Sequence, residues 1–232
     1  MSKYTQLKEQ AYLANLQLPA LGLVVFTFGN ASAADRDKGV FAIKPSGVPY
    51  ADLSPDQMVI VDFEGAVVEG NKRPSSDTLT HAVLYKSWKE IGGIVHTHST
   101  YATAWAQALK DIPILGTTHA DHLTTAIPCA PPMKDEYIAG DYELMTGHQI
   151  IDELNARNLS YTEVEMILVG SHAPFTWGKD VQKAVYNSGI CEAIAKMAYL
   201  SLSINPEITG LKSSLIKKHY ERKHGGQAYY GQ

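Results

Sequence analysis

The sequence predicts an α/β protein whose central sheet is largely antiparallel or mixed. Strand-like and helical segments are interspersed along the chain but do not alternate as regular β-α-β units. One hairpin is evident, where a Glu64-Gly65 turn joins two strand-like runs. The chain contains no GxGxxG or Walker-type loop, which argues against a nucleotide-binding Rossmann fold.

The elements of the first half follow from hydrophobic periodicity and turn residues. An amphipathic pattern predicts a helix from Lys3 to Leu18, and Pro19 ends it. Four strand-like runs follow, at Leu23–Phe28, Val40–Lys44, Met58–Phe63 and Ala66–Glu69. A helix is then predicted from Asp77 to Trp88, with Ser75, Ser76 or Asp77 as its N-cap.

The same signals predict three strands and four helices in the rest of the chain. The strands are Gly92–His98, Met166–Gly170 and Phe175–Trp177. The helices are Tyr101–Leu109, Gly147–Arg157, Val181–Leu202 and Ser213–Lys223. No long linker, internal repeat or low-complexity tract interrupts the chain, so we expect one domain over residues 1–232.

The composition is that of an ordinary globular protein. Hydrophobic residues make up 45% of the 232 residues and charged residues 19%, which is too apolar for a disordered chain. The net charge of −4 argues against non-specific binding to nucleic acid or to acidic membranes. A phosphate-bearing ligand must therefore be recognised by a local pocket rather than by the field of the whole protein.

Cysteine usage and the apolar segments predict a soluble, cytoplasmic protein. Cys129 and Cys191 fit no metal-ligand or redox spacing, so we interpret them as reduced structural thiols. The N-terminal segment has no unbroken apolar run typical of a secretory signal. The most apolar stretch, 190–204, contains Glu192 and Lys196 and is better interpreted as a buried helix than as a membrane span.

Histidines at the ends of two apolar runs indicate a metal site. His96 and His98 are two positions apart, and side chains at i and i+2 share one face of a strand. His172 ends a second apolar run, Met-Ile-Leu-Val-Gly-Ser-His, and Asp77 offers a carboxylate. Neutral imidazoles without cysteine suit a catalytic zinc, although manganese or cobalt fits such a ligand set too. Spacing alone leaves three other candidates open: His81, His119 and His122.

Small polar residues suggest an anion site but have ordinary structural explanations as well. Ser75 and Ser76 stand at a predicted helix N-terminus, where free N–H groups and the helix dipole favour a phosphate. The same serines are equally typical of an N-cap. Ser46-Gly47 also fits a turn, and Lys44 fits a solvated side chain.

Eight short runs, in order along the chain, carry a family resemblance. They are FGNAS (28–32), IKPSG (43–47), PSSDT (74–78), GGIVHTHST (92–100), GTTHAD (116–121), WGKD (177–180), KHYERKHG (218–225) and AYYGQ (228–232). Together they resemble the L-ribulose-5-phosphate 4-epimerases, a family of the class II aldolase/adducin-like superfamily. No single run is decisive, but their order and the C-terminal YYGQ are specific, and the resemblance covers essentially the whole chain.

The resemblance implies a fold, an assembly and an activity. The fold would be three-layer αβα around a mostly antiparallel sheet, assembled as a homotetramer with active sites between subunits. The activity would be the zinc-dependent interconversion of L-ribulose 5-phosphate and D-xylulose 5-phosphate, by cleavage and re-formation of the C3–C4 bond.

The resemblance also implies a role for individual residues. The zinc ligands would be His96, His98 and His172, with Asp77 completing or approaching the shell. Asp121 and Tyr230 would be the acid/base pair, Tyr230 coming from the neighbouring subunit, and His219 would sit beside the site. The substrate would bind to Gly29, Asn30, Lys44, Ser46, Gly47, Ser75 and Ser76.

Departures from the family pattern leave two other functions to consider. After Asp121 this chain reads HLTTAIPC, where an aromatic residue and a glycine-containing stretch are usual, Ala173 stands where glycine is usual and Phe28 where Trp is common. A class II aldolase for a substrate such as L-fuculose 1-phosphate would share the metal but would typically carry a glutamate near Asp77. An adducin-like interaction module would have lost the histidines, and this chain has all three.

Overall fold

A computed structural model of the protein describes residues 2–226 and 228, and a seven-stranded sheet forms the centre of this part of the chain. The strands are β1 (Asn30–Asp35), β2 (Val40–Ile43), β3 (Val59–Asp62), β4 (Val67–Glu69), β5 (Gly93–His96), β6 (Met166–Leu168) and β7 (Pro174–Gly178). Their order across the sheet is β4-β3-β2-β1-β5-β7-β6. Every neighbouring pair is antiparallel, which confirms the predicted sheet type.

Helices connect and cover the strands. They are α1 (Thr5–Ala20), α2 (Thr78–Ser87), α3 (Thr100–Gln107), α4 (Thr117–Ala120), α5 (Asp135–Ile138), α6 (Tyr142–Ala156), α7 (Val181–Ile204) and α8 (Ser213–His224). Two 3-10 turns, Tyr50–Asp52 and Pro55–Gln57, lie between β2 and β3. Across residues 2–226, none of the helices has both the length and the apolar character needed to cross a membrane.

The alternation of side chains along the strands produces three layers. In β2, Val40 and Ala42 point to a core that α1 and α7 complete, whereas Phe41 and Ile43 point to a core that α2 and α6 complete. A third cluster joins α3, α7 and β6 beside these two. The sheet is therefore buried on both faces between helices, as the three-layer prediction required.

The strand predicted at Leu23–Phe28 is wrong, and β1 occupies the segment that follows it. Phe26 and Gly29 have φ angles of 54° and 75°, which an extended strand does not allow, and the Phe26 side chain is 84% exposed. The sequence of β1, NASAAD, carries no run of large apolar residues for hydrophobic periodicity to detect. The buried Asn15 amide instead holds this strand, donating to the Ala31 carbonyl at 2.8 Å and accepting from the Ala31 N–H at 2.9 Å.

Some boundaries and two short helices also differ from the sequence prediction. The sixth helix begins at Tyr142 rather than Gly147, because the Asp141 carboxylate accepts a hydrogen bond from the Leu144 N–H and caps it there. The fifth strand ends at His96 rather than His98. The short helices α4 and α5 were not predicted, since four residues are too few to establish a helical period.

Candidate metal centre

Three histidines, one at the end of a strand and two in the adjoining loops, meet at one end of the sheet. His96 is the last residue of β5, His98 lies in the connection to α3, and His172 lies in the loop between β6 and β7. One ring nitrogen of each lies within 4.8 Å of the others, and the Nε2 atoms of His96 and His98 are 3.1 Å apart. The predicted histidine set therefore comes together. The strand argument fails for His98, however, because that residue lies beyond the end of β5.

The surroundings of His96 fix its orientation and tautomer. Its Nδ1 is 3.0 Å from the Pro174 carbonyl oxygen. Because a carbonyl only accepts hydrogen bonds, Nδ1 carries the proton and Nε2 keeps its lone pair directed toward the other two histidines. The ring also stacks on Phe175, with the centroids 4.1 Å apart.

The three imidazoles are in the neutral form that binds metal ions. Burial, reinforced by the neighbouring histidines, lowers the pKa of His96 and of His172 to about 3. Burial also lowers the pKa of His98, against the opposing effect of the Asp77 carboxylate. At neutral pH the site therefore offers uncharged nitrogen donors rather than three repelling cations.

This arrangement fits a catalytic metal ion. His172 Nδ1 is buried and has no hydrogen-bond partner among the described residues, which is costly unless another group occupies that position. Asp77 is not a member of the group of mutually close ligand atoms, and its Oδ2 instead accepts a 2.6 Å hydrogen bond from Asn30 Nδ2. Three nitrogen donors with space for a further ligand suit zinc, with manganese or cobalt as substitutes.

The histidines that spacing left open as ligands lie elsewhere. His81 is fully buried and its Nδ1 is 2.7 Å from the Ser32 hydroxyl. His119 donates from Nε2 to the Thr125 carbonyl oxygen at 3.1 Å. His122 contacts Lys223 and Tyr186. Within the part of the chain that the structure describes, the only cluster that could hold a metal ion is His96, His98 and His172.

The histidines open into a cavity of about 500 Å³. Its walls come from the loop before β1, the segment after β2, the start of α2 and the first turn of α6. All the residues that the resemblance assigned to substrate line it: Gly29, Asn30, Lys44, Ser46, Gly47, Ser75 and Ser76. The sequence prediction thus identified residues of a single cavity, although they come from three separate segments.

Lys44 supplies the cationic side chain of this cavity. Its side chain is almost fully buried, with Nζ 4.9 Å from the centre of the Tyr50 ring. Burial lowers the Lys44 pKa to about 8, so the amine is mostly protonated at neutral pH and loses its proton in the mildly alkaline range. Lys44 is therefore not a solvated side chain, and an anion in the cavity would stabilise its charged form.

Gly29 allows the β1 loop to approach the histidines closely. Its φ is 75°, and a Cβ atom there would lie 2.9 Å from the His96 carbonyl oxygen and 2.8 Å from a Val24 methyl group. Any other residue would push the loop away from the end of β5. The glycine is thus required for the wall of the cavity to lie this close to the histidines.

Tyr142 and Glu143 line the cavity, and the sequence analysis did not identify them. Both lie in the first turn of α6, and the Tyr142 ring centre is 6.2 Å from that of His172. An Asp141 N-cap before an apolar run was the available signal, and it would have moved the helix start to include them. Their nearness to the histidines, in contrast, depends on tertiary packing and has no local signal.

The predicted acid/base residues do not line this cavity. Asp121 and His219 are both described by the structure and lie where α8 packs on the end of α4. The Asp121 carboxylate accepts hydrogen bonds from His219 Nδ1 at 3.0 Å and from Arg222 Nε and Nη2 at 3.1 and 3.0 Å. Tyr230, the third residue assigned to this chemistry, lies outside the described residues.

The contacts of Asp121 keep its carboxylate ionised. Burial by itself raises the pKa, but the hydrogen bonds and charges of Arg222 and His219 outweigh it, so the pKa of Asp121 lies below its usual value. His224 also donates from Nε2 to the Asp121 carbonyl oxygen at 2.9 Å. Asp121 therefore carries a negative charge at neutral pH, held by Arg222 and His219.

Comparisons with known proteins agree with this fold. An L-fuculose 1-phosphate aldolase has a TM-score of 0.78 and 22% identity, over 96% of this chain and 97% of its own. The L-fuculose 1-phosphate aldolases of Glaciozyma antarctica and Thermus thermophilus give TM-scores of 0.76 and 0.67 at 18% and 22% identity. The alignment with the first covers 95% of this chain and 82% of the other, and the alignment with the second covers 89% of this chain and 99% of the other.

At these identities the structural likeness concerns the fold. The sequence itself matches the Class II Aldolase and Adducin N-terminal domain family over residues 9–199, which is most of the chain. The protein therefore belongs to the class II aldolase and adducin N-terminal domain family.

Proposed function

We propose that the protein is a metal-dependent enzyme that breaks and re-forms a carbon–carbon bond of a sugar phosphate, and specifically an L-ribulose-5-phosphate 4-epimerase. One observation carries the proposal: a single cavity joins a cluster of neutral histidines to an anion-binding wall of serines, glycines and a buried lysine. The ordered motifs from Phe28 to Gln232 narrow the general activity to the epimerase.

The chemistry requires bond cleavage because the C4 proton of a ketopentose phosphate is not acidic. C4 is not adjacent to the C2 carbonyl, so direct proton abstraction cannot invert it. Cleavage of C3–C4, rotation of the aldehyde fragment and re-formation of the bond on its other face invert C4. A divalent cation held by His96, His98 and His172 would supply Lewis-acid stabilisation of the C2 and C3 oxygens.

The serines, glycines and lysine of the cavity would bind the phosphate. Ser75 and Ser76 precede α2, whose dipole places partial positive charge at this end. Lys44 adds a cation, and the Ser46-Gly47 segment adds a hydroxyl in a backbone turn with Gly47 at φ 71°. These groups hold the end of the sugar that does not react, which fixes the distance of C3–C4 from the histidines.

The C4 oxygen needs a proton acceptor and donor on each side, and we assign these roles to Asp121 and Tyr230. Asp121 is held ionised by Arg222 and does not line the cavity of its own chain. A neighbouring subunit would therefore bring Asp121 and the C-terminal segment to the cavity, as in a homotetramer with shared sites.

This shared site is testable by mixing two inactive variants. His98→Asn removes a metal ligand and Asp121→Asn removes the acceptor. In oligomers re-formed from equal amounts of both, about a quarter of the shared sites would contain neither substitution, for random assembly of a symmetric ring. Recovery of activity toward a quarter of wild type supports the arrangement, whereas mixtures as inactive as the parents place Asp121 in its own chain's site.

A class II aldolase of a ketose 1-phosphate is the second candidate, and one observation favours it. The sequence at Asp77 lacks the glutamate expected of such an aldolase, but Glu143 of α6 places a glutamate in the same cavity. The fuculose 1-phosphate aldolases named above share the fold. A non-enzymatic module is disfavoured because it has no use for three converging neutral histidines.

The decisive experiment is incubation of the purified protein with L-ribulose 5-phosphate, with and without a chelator. Both D-xylulose 5-phosphate and free dihydroxyacetone are assayed. Chelator-sensitive formation of D-xylulose 5-phosphate with little free dihydroxyacetone supports the epimerase. Absence of the epimer, followed by cleavage of a ketose 1-phosphate such as L-fuculose 1-phosphate, assigns the protein to the aldolases.

A further inference from the structure

We propose that Glu192 of α7 is a positioning residue for the metal centre, acting through the N-terminus of α3 to hold the His98 loop. The inference rests on the metal site of the proposed function and on no particular substrate. It concerns a side chain 91 residues away in sequence from the backbone that it binds.

The Glu192 carboxylate caps α3 from another helix. Oε1 accepts the Tyr101 N–H at 2.9 Å and Oε2 accepts the Ala102 N–H at 2.8 Å. These are the second and third residues of α3, whose N–H groups an N-cap side chain ordinarily satisfies. Both carboxylate oxygens are thus used on backbone three and four residues after His98.

The helix has no cap of its own. Ser99 stands at the N-cap position with an extended backbone, but its side chain makes no capping hydrogen bond. Its hydroxyl is buried and has no partner among the described residues. Ser99 holds the N-cap position, but the capping hydrogen bonds come from Glu192.

This cap matters for the metal because His98 lies outside the sheet. β5 ends at His96, which is tied to β7 through its hydrogen bond to the Pro174 carbonyl oxygen. On the other side, the chain is next held where Glu192 binds the start of α3. The backbone is therefore held on both sides of His98, by the hydrogen bond of His96 on one side and by Glu192 on the other. Loss of the Glu192 contact would leave the His98 imidazole more mobile, and metal binding would then have to restrict that motion.

A matched control separates this role from general helix packing. Trp105 of α3 donates from Nε1 to the Ala195 carbonyl oxygen of α7 at 3.0 Å, so the same two helices share a second polar contact. Trp105→Phe removes that contact without touching the start of α3. Glu192→Gln removes the charge and one acceptor, and Glu192→Asp keeps the carboxylate on a stem one methylene shorter.

The experiment measures Co²⁺ and Zn²⁺ affinity of each full-length variant by competition with a chelator, together with the visible absorption of the Co²⁺ form. Circular dichroism establishes that each variant is folded. We expect Glu192→Gln to weaken affinity about tenfold and to alter the Co²⁺ spectrum, as loss of a supporting contact behind a ligand does. We expect a smaller loss for Glu192→Asp and a near wild-type result for Trp105→Phe.

Wild-type affinity and spectrum in Glu192→Gln overturn the inference, and so does an equal loss in Trp105→Phe. If Glu192→Gln does not fold, Glu192→Asp carries the test against the same control. The experiment contains no substrate. If the protein lacks epimerase activity but the Glu192 variants show the expected changes in metal affinity and Co²⁺ spectrum, the inference on Glu192 stands and only the proposed substrate is refuted. A wild-type protein that binds neither ion refutes both.

Discussion

Replacing Arg222 by Gln should shift the pH dependence of turnover, because Arg222 holds the Asp121 carboxylate ionised. The guanidinium donates to both carboxylate oxygens, at 3.1 and 3.0 Å, and the two side chains are 23% and 12% exposed. In the variant the carboxylate keeps its hydrogen bond from His219 but loses the bidentate cation.

The size of the shift follows from these contacts. A hydrogen bond to a charged group contributes about 1.5–3 kcal/mol, and partial exposure favours the lower figure. Since one pKa unit corresponds to about 1.4 kcal/mol, the pKa of Asp121 should rise by about one unit in the variant. A base works only when ionised, so the acidic limb of kcat/KM should move to higher pH by the same amount.

The free energy of unfolding provides a second measurement of the contact between Arg222 and Asp121. The depressed pKa means that Asp121 stabilises the folded state at neutral pH, and this stabilisation is lost as the pH falls through the folded-state pKa. Arg222→Gln should therefore lower the free energy of unfolding by about 1.5 kcal/mol at pH 7 and by little in strong acid.

The assay is kcat/KM for L-ribulose 5-phosphate against pH, in metal-loaded protein well below its unfolding temperature. Arg157→Gln is the control, because Arg157 forms its ion pairs with Asp111 and Glu153 and not with Asp121. Superimposable acidic limbs for the Arg222→Gln variant and the wild type would refute the reasoning, as would the same shift in the control.

Three further substitutions test the other assignments. His98→Asn should lose stoichiometric zinc on metal analysis because two nitrogens remain of three; full retention would remove His98 from the site. Tyr230→Phe should keep zinc and the oligomer but lose turnover roughly 100-fold or more, the usual contribution of an acid/base group, and normal turnover would exclude it. Lys44→Met should raise KM roughly tenfold at neutral pH, the effect of losing one charged hydrogen bond. Because the Lys44 pKa is about 8, wild-type KM should also rise above that pH; a flat KM through this range would contradict the assignment.

Much of the fold could be predicted because large apolar residues mark most elements. The strand from Met58 and the hairpin after it are such cases, and the structure has both as β3 and β4. β1 could not be predicted in this way, since its NASAAD sequence is small and polar. Its position depends on hydrogen bonds from the Asn15 amide and on burial between the layers, and both are tertiary interactions.

The residues of the site likewise include some that the sequence could predict and some that it could not. His96 and His172 were predictable because each ends an apolar run, and two such runs in one sheet can deliver side chains to one end. Glu143 could not be predicted, because it reaches the cavity only when α6 packs on α2. The Thr80 hydroxyl of α2 donates to the Glu143 carbonyl oxygen at 2.5 Å in this packing. Periodicity describes a segment by itself and carries no information on contacts between helices.

The choice between epimerase and aldolase depends on where protons can reach the cleaved fragments. An epimerase must keep the three-carbon fragment unprotonated at carbon until the aldehyde has turned, whereas an aldolase protonates that carbon and releases it. Glu143 is the carboxylate of the cavity wall without a direct hydrogen bond to Asn30, while Asp77 is held by the 2.6 Å contact from that residue. Glu143 is therefore the carboxylate that we test as the proton donor to C3, and the ratio of D-xylulose 5-phosphate to free dihydroxyacetone in a Glu143→Gln variant is the measurement. A ratio that rises from the wild-type value identifies Glu143 as the source of the proton that releases the fragment, and an unchanged ratio assigns that proton to another group.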